Sequence, residues 1–130
     1  MCLSKLESDS DLLNVKEIVC WKTFSFIIKD NVTLLKNRDN DIITFNSWVK
    51  DPKSIDIECS GSKYPCGYHC FLEEGSAILL ADTCNHFKDE FGLRTMRMTV
   101  RKVRLKSIVA VGLQGKHKSI VGREIFIEGG

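Results

Sequence analysis

With 130 residues, 43% of them hydrophobic and 28% charged, the chain has the size and composition of one folded domain, which excludes wholesale disorder. Its formal net charge of +2 excludes general attraction to polyanions, and its longest apolar runs span a few residues, whereas a membrane helix needs about 20. The first residues lack the apolar stretch of a secretory signal, so we expect a cytoplasmic protein.

The first half of the chain predicts an N-terminal arm followed by short strands. Residues 1–14 are polar and predict a flexible arm that is loose or forms a short helix, and a single domain follows over residues 15–130. Apolar residues on both parities predict a central, covered strand over residues 18–28. Asp30-Asn31 is typical of a turn. Further strands are predicted over residues 32–35, 42–49, 55–59 and 67–71, with a loop over residues 60–65.

The second half predicts one main helix and a set of late strands. The helix spans residues 73–87, and its apolar stripe consists of Ala77, Leu80, Ala81, Cys84 and Phe87. After a turn at Phe91-Gly92 the pattern is β to the end, with a bulge predicted at Lys102 and a hairpin turn over residues 114–118. The predicted fold is α+β, a bent antiparallel sheet with one main helix at about residues 73–87.

Positive charge is concentrated in residues 94–123, which contain nine Lys or Arg and no acid. Because guanidinium groups bind phosphate oxygens in pairs, we predict a ligand-binding surface made of Arg97, Arg101, Arg104, Lys106, Lys116 and Lys118. The alternative is that these cations only keep an exposed sheet soluble. Aromatic residues are sparse in the segment, which disfavours stacking on single-stranded nucleic acid. The expected partners are an acidic protein surface, a nucleotide or a nucleic-acid phosphate backbone.

Cysteine and histidine residues are the candidates for a metal site. Within 28 residues lie Cys59, Cys66, His69, Cys70, Cys84 and His86. Their spacing does not give the two tight pairs that structural zinc sites prefer, so we predict no metal and no cofactor. The sequence leaves open whether five of them meet around a metal: Cys66, His69, Cys70, Cys84 and His86. Without a secretory signal, free thiols are favoured over disulfides.

Short motifs carry a resemblance to known proteins. The chain resembles small phage and bacterial proteins of uncharacterised function in Met1-Cys2-Leu3, Val19-Cys20-Trp21-Lys22 and Gly67-Tyr68-His69-Cys70-Phe71. More distantly, its order of elements is similar to ADP-ribosyltransferase-type folds, whose strands frame a nicotinamide-nucleotide cleft. That resemblance implies His69 and Glu124 as catalytic candidates. Active members place a His or Arg where this chain has Trp21-Lys22, which implies binding without transfer.

Charge asymmetry without a catalytic constellation favours a small non-catalytic binding protein that uses the basic strand surface. The resemblance implies a virus-encoded factor acting on a host process or defence system. One alternative is an ADP-ribosyltransferase-like enzyme that consumes a nicotinamide dinucleotide. Another is a protein that sequesters a signalling nucleotide. Exposed late strands are compatible with a homodimer.

Overall fold

The computed structural model describes residues 3–7, 10–29, 32–36, 44–53, 55–59, 62–90 and 97–129, and it has the predicted α+β class with strands dominating. In chain order the elements are β1 (Lys5–Leu6), a 3-10 helix (Asp11–Asn14), β2 (Glu17–Lys29), β3 (Val32–Lys36), β4 (Trp48–Lys50), β5 (Asp56–Cys59), β6 (Ser62–Pro65), β7 (Tyr68–Phe71), α1 (Glu74–Glu90), β8 (Arg97–Gln114) and β9 (His117–Ile127). In the described part of the chain, no helix is both long and apolar enough to cross a membrane.

Four antiparallel strands close the main sheet into a ring. β8 pairs with β2 through its first half and with β9 through its second half. β7 pairs with both β9 and β2 and so completes the ring. The two pairings of β8 overlap at residues 103–106, where β2 lies on one edge of the strand and β9 on the other. β1, β3 and β4 add to β8, β2 and β9, while β5 and β6 form a separate hairpin.

The two faces of β2 and β8 pack against different parts of the molecule. One face, here called the core-side face, carries Cys20, Val103 and Leu105, each at most 2% exposed. These residues belong to the main hydrophobic core, to which β7 and β9 also contribute. The opposite face, here called the outer face, is covered in part by α1, where the Thr23 hydroxyl donates to the Ala77 carbonyl oxygen at 3.0 Å. α1 comes this close because Ala77 has a small side chain.

The predicted bulge at Lys102 is wrong. β8 pairs with β2 without interruption from Arg97 to Lys106, and the irregularity lies between Ile108 and Ala110. Ser107, beside it, has a positive φ of 56°. The apolar parity changes near Lys102 because α1 covers the outer face at Val100, opposite Thr23, whereas farther along the core-side face is the covered one. A change of covered face thus has the same sequence pattern as a bulge.

Several element boundaries differ from the prediction. The strand predicted over residues 42–49 is β4 at Trp48–Lys50; its first two residues, 42 and 43, lie outside the described residues. The predicted loop over residues 60–65 contains β6, which pairs with β5. The helix begins at Glu74 and ends at Glu90. The turns predicted at Asp30-Asn31 and Phe91-Gly92 lie outside the described residues.

The N-terminal segment, where we predicted a flexible arm, packs on the sheet in its described part. Leu3 is fully buried, and β1 pairs with β8 through Lys5 and Leu6. The 3-10 helix begins after Ser10, whose hydroxyl accepts from the Leu12 N–H at 3.3 Å. One buried side chain and a short paired strand are sufficient to dock a segment whose composition is polar.

Candidate anion-binding site

A lysine lies on the core-side face of β2. Lys22 stands between Cys20 and Phe24, which are 0% and 2% exposed, and is itself half-buried. Its ammonium donates to the His69 carbonyl oxygen at 3.0 Å and lies 5.6 Å from the centroid of the Phe24 ring. The carbonyl oxygen and the aromatic ring compensate a charge that would be costly to place in this position alone.

Arg101 lies directly opposite Lys22 on β8, on the same face. Its guanidinium carbon is 5.5 Å from the centroid of the Phe45 ring. A cation near an aromatic ring is stabilised by the ring, and a guanidinium can bind a phosphate or carboxylate in two places. Arg97 follows on the same face, about 13 Å away along the strand.

Lys22 and Arg101 are direct partners in the β2–β8 ladder, so both cations belong to one face of the sheet. An anion on this face is attracted by both charges. The pair therefore forms a candidate anion-binding site, here called the Lys22–Arg101 site.

Two core thiols lie beneath this site. The hydrogen bond to Cys70, followed by burial, raises the pKa of the Cys20 thiol. Burial opposes ionisation of Cys70, but the hydrogen bond from Cys20 and the Lys22 ammonium bring the pKa of Cys70 below its ordinary value of 9.0. If either thiol of the pair ionises, it is therefore Cys70, next to the lysine.

The other predicted cations of β8 lie on the outer face among acidic residues. The Arg104 guanidinium is 3.1 Å from a Glu17 carboxylate oxygen, and the Lys106 ammonium is 3.9 Å from Glu124. The basic segment contains no acid, but the neighbouring strands β2 and β9 supply these two. The outer face is therefore a surface of mixed charge, with no single positive field.

Aromatic rings also flank the outer-face cations. Arg104 lies 4.2 Å from the centroid of Phe126, and Lys106 lies 4.3 Å from that of Trp48. Trp48 comes from β4, which the sequence places far from the basic segment. These stacks engage the cations within the protein itself and so add to the mixed character of the outer face.

Lys116 and Lys118 lie at the β8–β9 turn, where both are exposed. Ten residues separate Lys116 from Lys106, which is about 33 Å along an extended strand. The six predicted cations are therefore divided among the core-side face, the outer face and the turn.

The two catalytic candidates contact different neighbours. His69 is 4% exposed, and its Nε2 lies 2.9 Å from the Tyr64 hydroxyl oxygen. The same hydroxyl oxygen accepts from the Leu3 N–H at 2.8 Å, so Tyr64 links the N-terminal segment to His69. Glu124 instead accepts from the Ser107 hydroxyl at 2.7 Å. This geometry gives His69 a structural hydrogen bond.

Replacing Tyr64 by phenylalanine is expected to lower the free energy of unfolding by about 2 kcal/mol, because two buried groups, Leu3 N–H and His69 Nε2, lose this partner. Urea denaturation measures the change. Ser4→Ala is the control, since it removes two exposed hydrogen bonds of the same segment, to the Leu113 carbonyl oxygen and from the Gly115 N–H, and should cost less than about 1 kcal/mol. Equal losses of unfolding free energy in the two variants would contradict the argument that the buried hydrogen bonds of Tyr64 contribute more than the exposed ones of Ser4.

Some of the cysteine and histidine residues that were considered as metal ligands contact other groups. Cys66 Sγ lies 3.6 Å from an Asp51 carboxylate oxygen, and His86 Nε2 lies 3.3 Å from Glu90. Across the described ranges, no group of three or more His, Cys, Asp or Glu is placed to hold a metal ion. The free cysteines include Cys20, Cys66, Cys70 and Cys84.

Lys22 was not among the predicted binding residues, although the sequence carries a signal for it. The residue shares its parity with Cys20, Phe24 and Phe26, which form one apolar face of β2. A cation in phase with such a face is an exception to the usual pattern. Comparisons with protein families, curated proteins and solved structures find no match to this chain.

Proposed function

We propose that the protein binds a phosphate-bearing ligand of the nucleotide class at the Lys22–Arg101 site and does not chemically change that ligand. The observation that carries the proposal is the cross-strand pairing of two cations on the core-side face. A phosphate group can accept hydrogen bonds from a guanidinium edge and an ammonium together.

A compact ligand fits the charge distribution better than a nucleic-acid backbone or an acidic protein surface. A phosphate backbone gains affinity from a long row of cations with counterion release. Here Glu17 and Glu124 interrupt that row on the outer face, whereas Lys22, Arg101 and Arg97 share the core-side face. One or two phosphate groups need only such a single cluster.

The test is isothermal titration calorimetry with adenosine triphosphate and, separately, inorganic pyrophosphate. Arg101→Glu is expected to weaken binding at least tenfold, because it replaces a guanidinium that attracts the phosphate by a carboxylate that repels it. Arg104→Glu makes the same change of charge on the outer face and should alter affinity by less than about twofold. Equal weakening in both variants would show a response to net charge alone, and unchanged binding in Arg101→Glu would place the site elsewhere.

Binding and turnover are separated by analysing the nucleotide. Native mass spectrometry of the purified protein shows whether a ligand of nucleotide mass is retained. A protein that sequesters a nucleotide will release it unmodified after heat denaturation. Release of free nicotinamide from a supplied dinucleotide would instead support the ADP-ribosyltransferase alternative, with His69 and Glu124 as the residues to replace.

A further inference from the structure

A serine and a histidine meet on the side of the molecule where α1 crosses the β8–β9 turn. The Ser76 hydroxyl oxygen lies 2.9 Å from His117 Nδ1, and the two residues are 41 positions apart in the chain. Ser76 lies in the first turn of α1, while His117 is the first residue of β9. Neither residue belongs to the Lys22–Arg101 site, so this pair is independent of the proposed function.

The pair lines a cavity of about 190 Å³. Phe71, Leu79 and Leu80 make most of its wall apolar, and Thr83 and Gln114 complete it. An apolar cavity of about 150 Å³ accommodates a benzene molecule, so this one has room for a short acyl chain or a single ring.

Two contacts restrain His117 beside the Ser76 hydroxyl. The ring of His117 meets that of Phe71 edge to face, with centroids 6.1 Å apart. The Ser119 hydroxyl donates to the His117 carbonyl oxygen at 3.1 Å and so restrains the backbone at the start of β9. With the ring proton on Nε2, Nδ1 accepts the proton of the Ser76 hydroxyl, as a general base does.

The N-terminus of α1 places a positive electrostatic field at Ser76. The first N–H groups of a helix have no acceptor within it, and they carry the positive end of the helix dipole. Ser76 sits among these groups, so negative charge that develops on a carbonyl oxygen beside its hydroxyl lies in a favourable field.

We propose that Ser76 and His117 form a nucleophile–base pair that hydrolyses small esters with an apolar acyl group. The Ser76 oxygen bonds to the ester carbonyl carbon while its proton moves to His117 Nδ1. The bond from that carbon to the alkoxy oxygen then breaks, and the alcohol leaves with the proton from His117. Water attacks the acyl-serine in the same way, releasing the carboxylic acid and restoring the serine.

The experiment combines p-nitrophenyl butyrate hydrolysis with labelling by a fluorophosphonate, followed by peptide mass spectrometry. We expect a burst of about one equivalent of p-nitrophenol and a label on Ser76. Ser76→Ala abolishes both, and His117→Gln slows labelling about a hundredfold, the contribution typical of a general base. Ser107→Ala, an exposed serine hydrogen-bonded to Glu124, is the control and labels at the wild-type rate.

Circular dichroism and thermal melting of each variant establish that it is folded. His117→Gln keeps a hydrogen-bonding side chain and retains Ser76, so its labelling rate reports on the base even if Ser76→Ala is destabilised. A label at another residue, no label on the folded wild-type protein, or an equal rate in His117→Gln would overturn the proposal. Since Arg101→Glu leaves the serine pair untouched, loss of phosphate binding and loss of labelling are separate results.

Discussion

Replacing Gly112 by valine is expected to detach β1 from β8 and to lower the free energy of unfolding by about 4 kcal/mol. A side chain at this position would overlap the carbonyl oxygen of Lys5 on β1, the strand paired with β8 at this glycine. Separation exposes Leu3, now fully buried, at a cost of about 2 kcal/mol. It also breaks the hydrogen bonds from the Ser4 and Glu7 N–H groups to β8, worth about 1 kcal/mol each.

Hydrogen exchange at the Ser4 and Glu7 amides, together with urea denaturation, measures both effects. The matched control is Gly75→Ala in the first turn of α1, where an added Cβ meets no atom within 4 Å. Alanine favours the helix, so this variant should gain about 0.5 to 1 kcal/mol. The two glycine replacements therefore have opposite expected signs, and protected amides at Ser4 and Glu7 in Gly112→Val would contradict the steric argument.

Local patterns predicted the elements better than the faces they present. The strand predicted over residues 18–28 is β2 at Glu17–Lys29, and the helix predicted over residues 73–87 is α1 at Glu74–Glu90, because periodicity is a property of a short segment. Which face of β8 is covered depends on α1 and on the ring, and neither is encoded near Lys102. The sequence alone therefore assigned Arg101 and Arg104 to one surface, although they lie on two.

The same limit applies to the candidate sites. The acids that pair with Arg104 and Lys106 lie on β2 and β9, so a charge count over one segment overstates the positive field. Ser76 and His117 come together only when the β8–β9 hairpin meets α1. Lys22 is different, since its parity on an apolar strand face is visible in the sequence and predicts an unusual position without any structure.

Arg123 is the last cation of the basic segment, and its replacement by alanine is expected to cost about 3 kcal/mol of unfolding free energy. Its guanidinium donates to the carbonyl oxygens of Cys66 at 2.6 Å and Asp51 at 2.8 Å, and also to that of Lys53. Hydrogen bonds from a charged donor contribute about 1.5 to 3 kcal/mol each, but water replaces part of this at a half-buried residue. For a domain of 130 residues, 3 kcal/mol corresponds to a drop in melting temperature of roughly 10 °C.

Arg104→Ala is the matched control, because it removes the same charge from the same segment and breaks a surface ion pair with Glu17 and a contact with the Phe126 ring, each worth at most about 1 kcal/mol. The loss of unfolding free energy in Arg123→Lys should fall between those of the two alanine variants. An ammonium keeps the charge, but it lacks the planar guanidinium that reaches three carbonyl groups at once. A similar loss in Arg123→Ala and Arg104→Ala would mean that both arginines act through charge alone. A large loss confined to Arg123 would show that this cation holds the segment from Asp51 to Lys53 against Cys66 and is not available to a ligand.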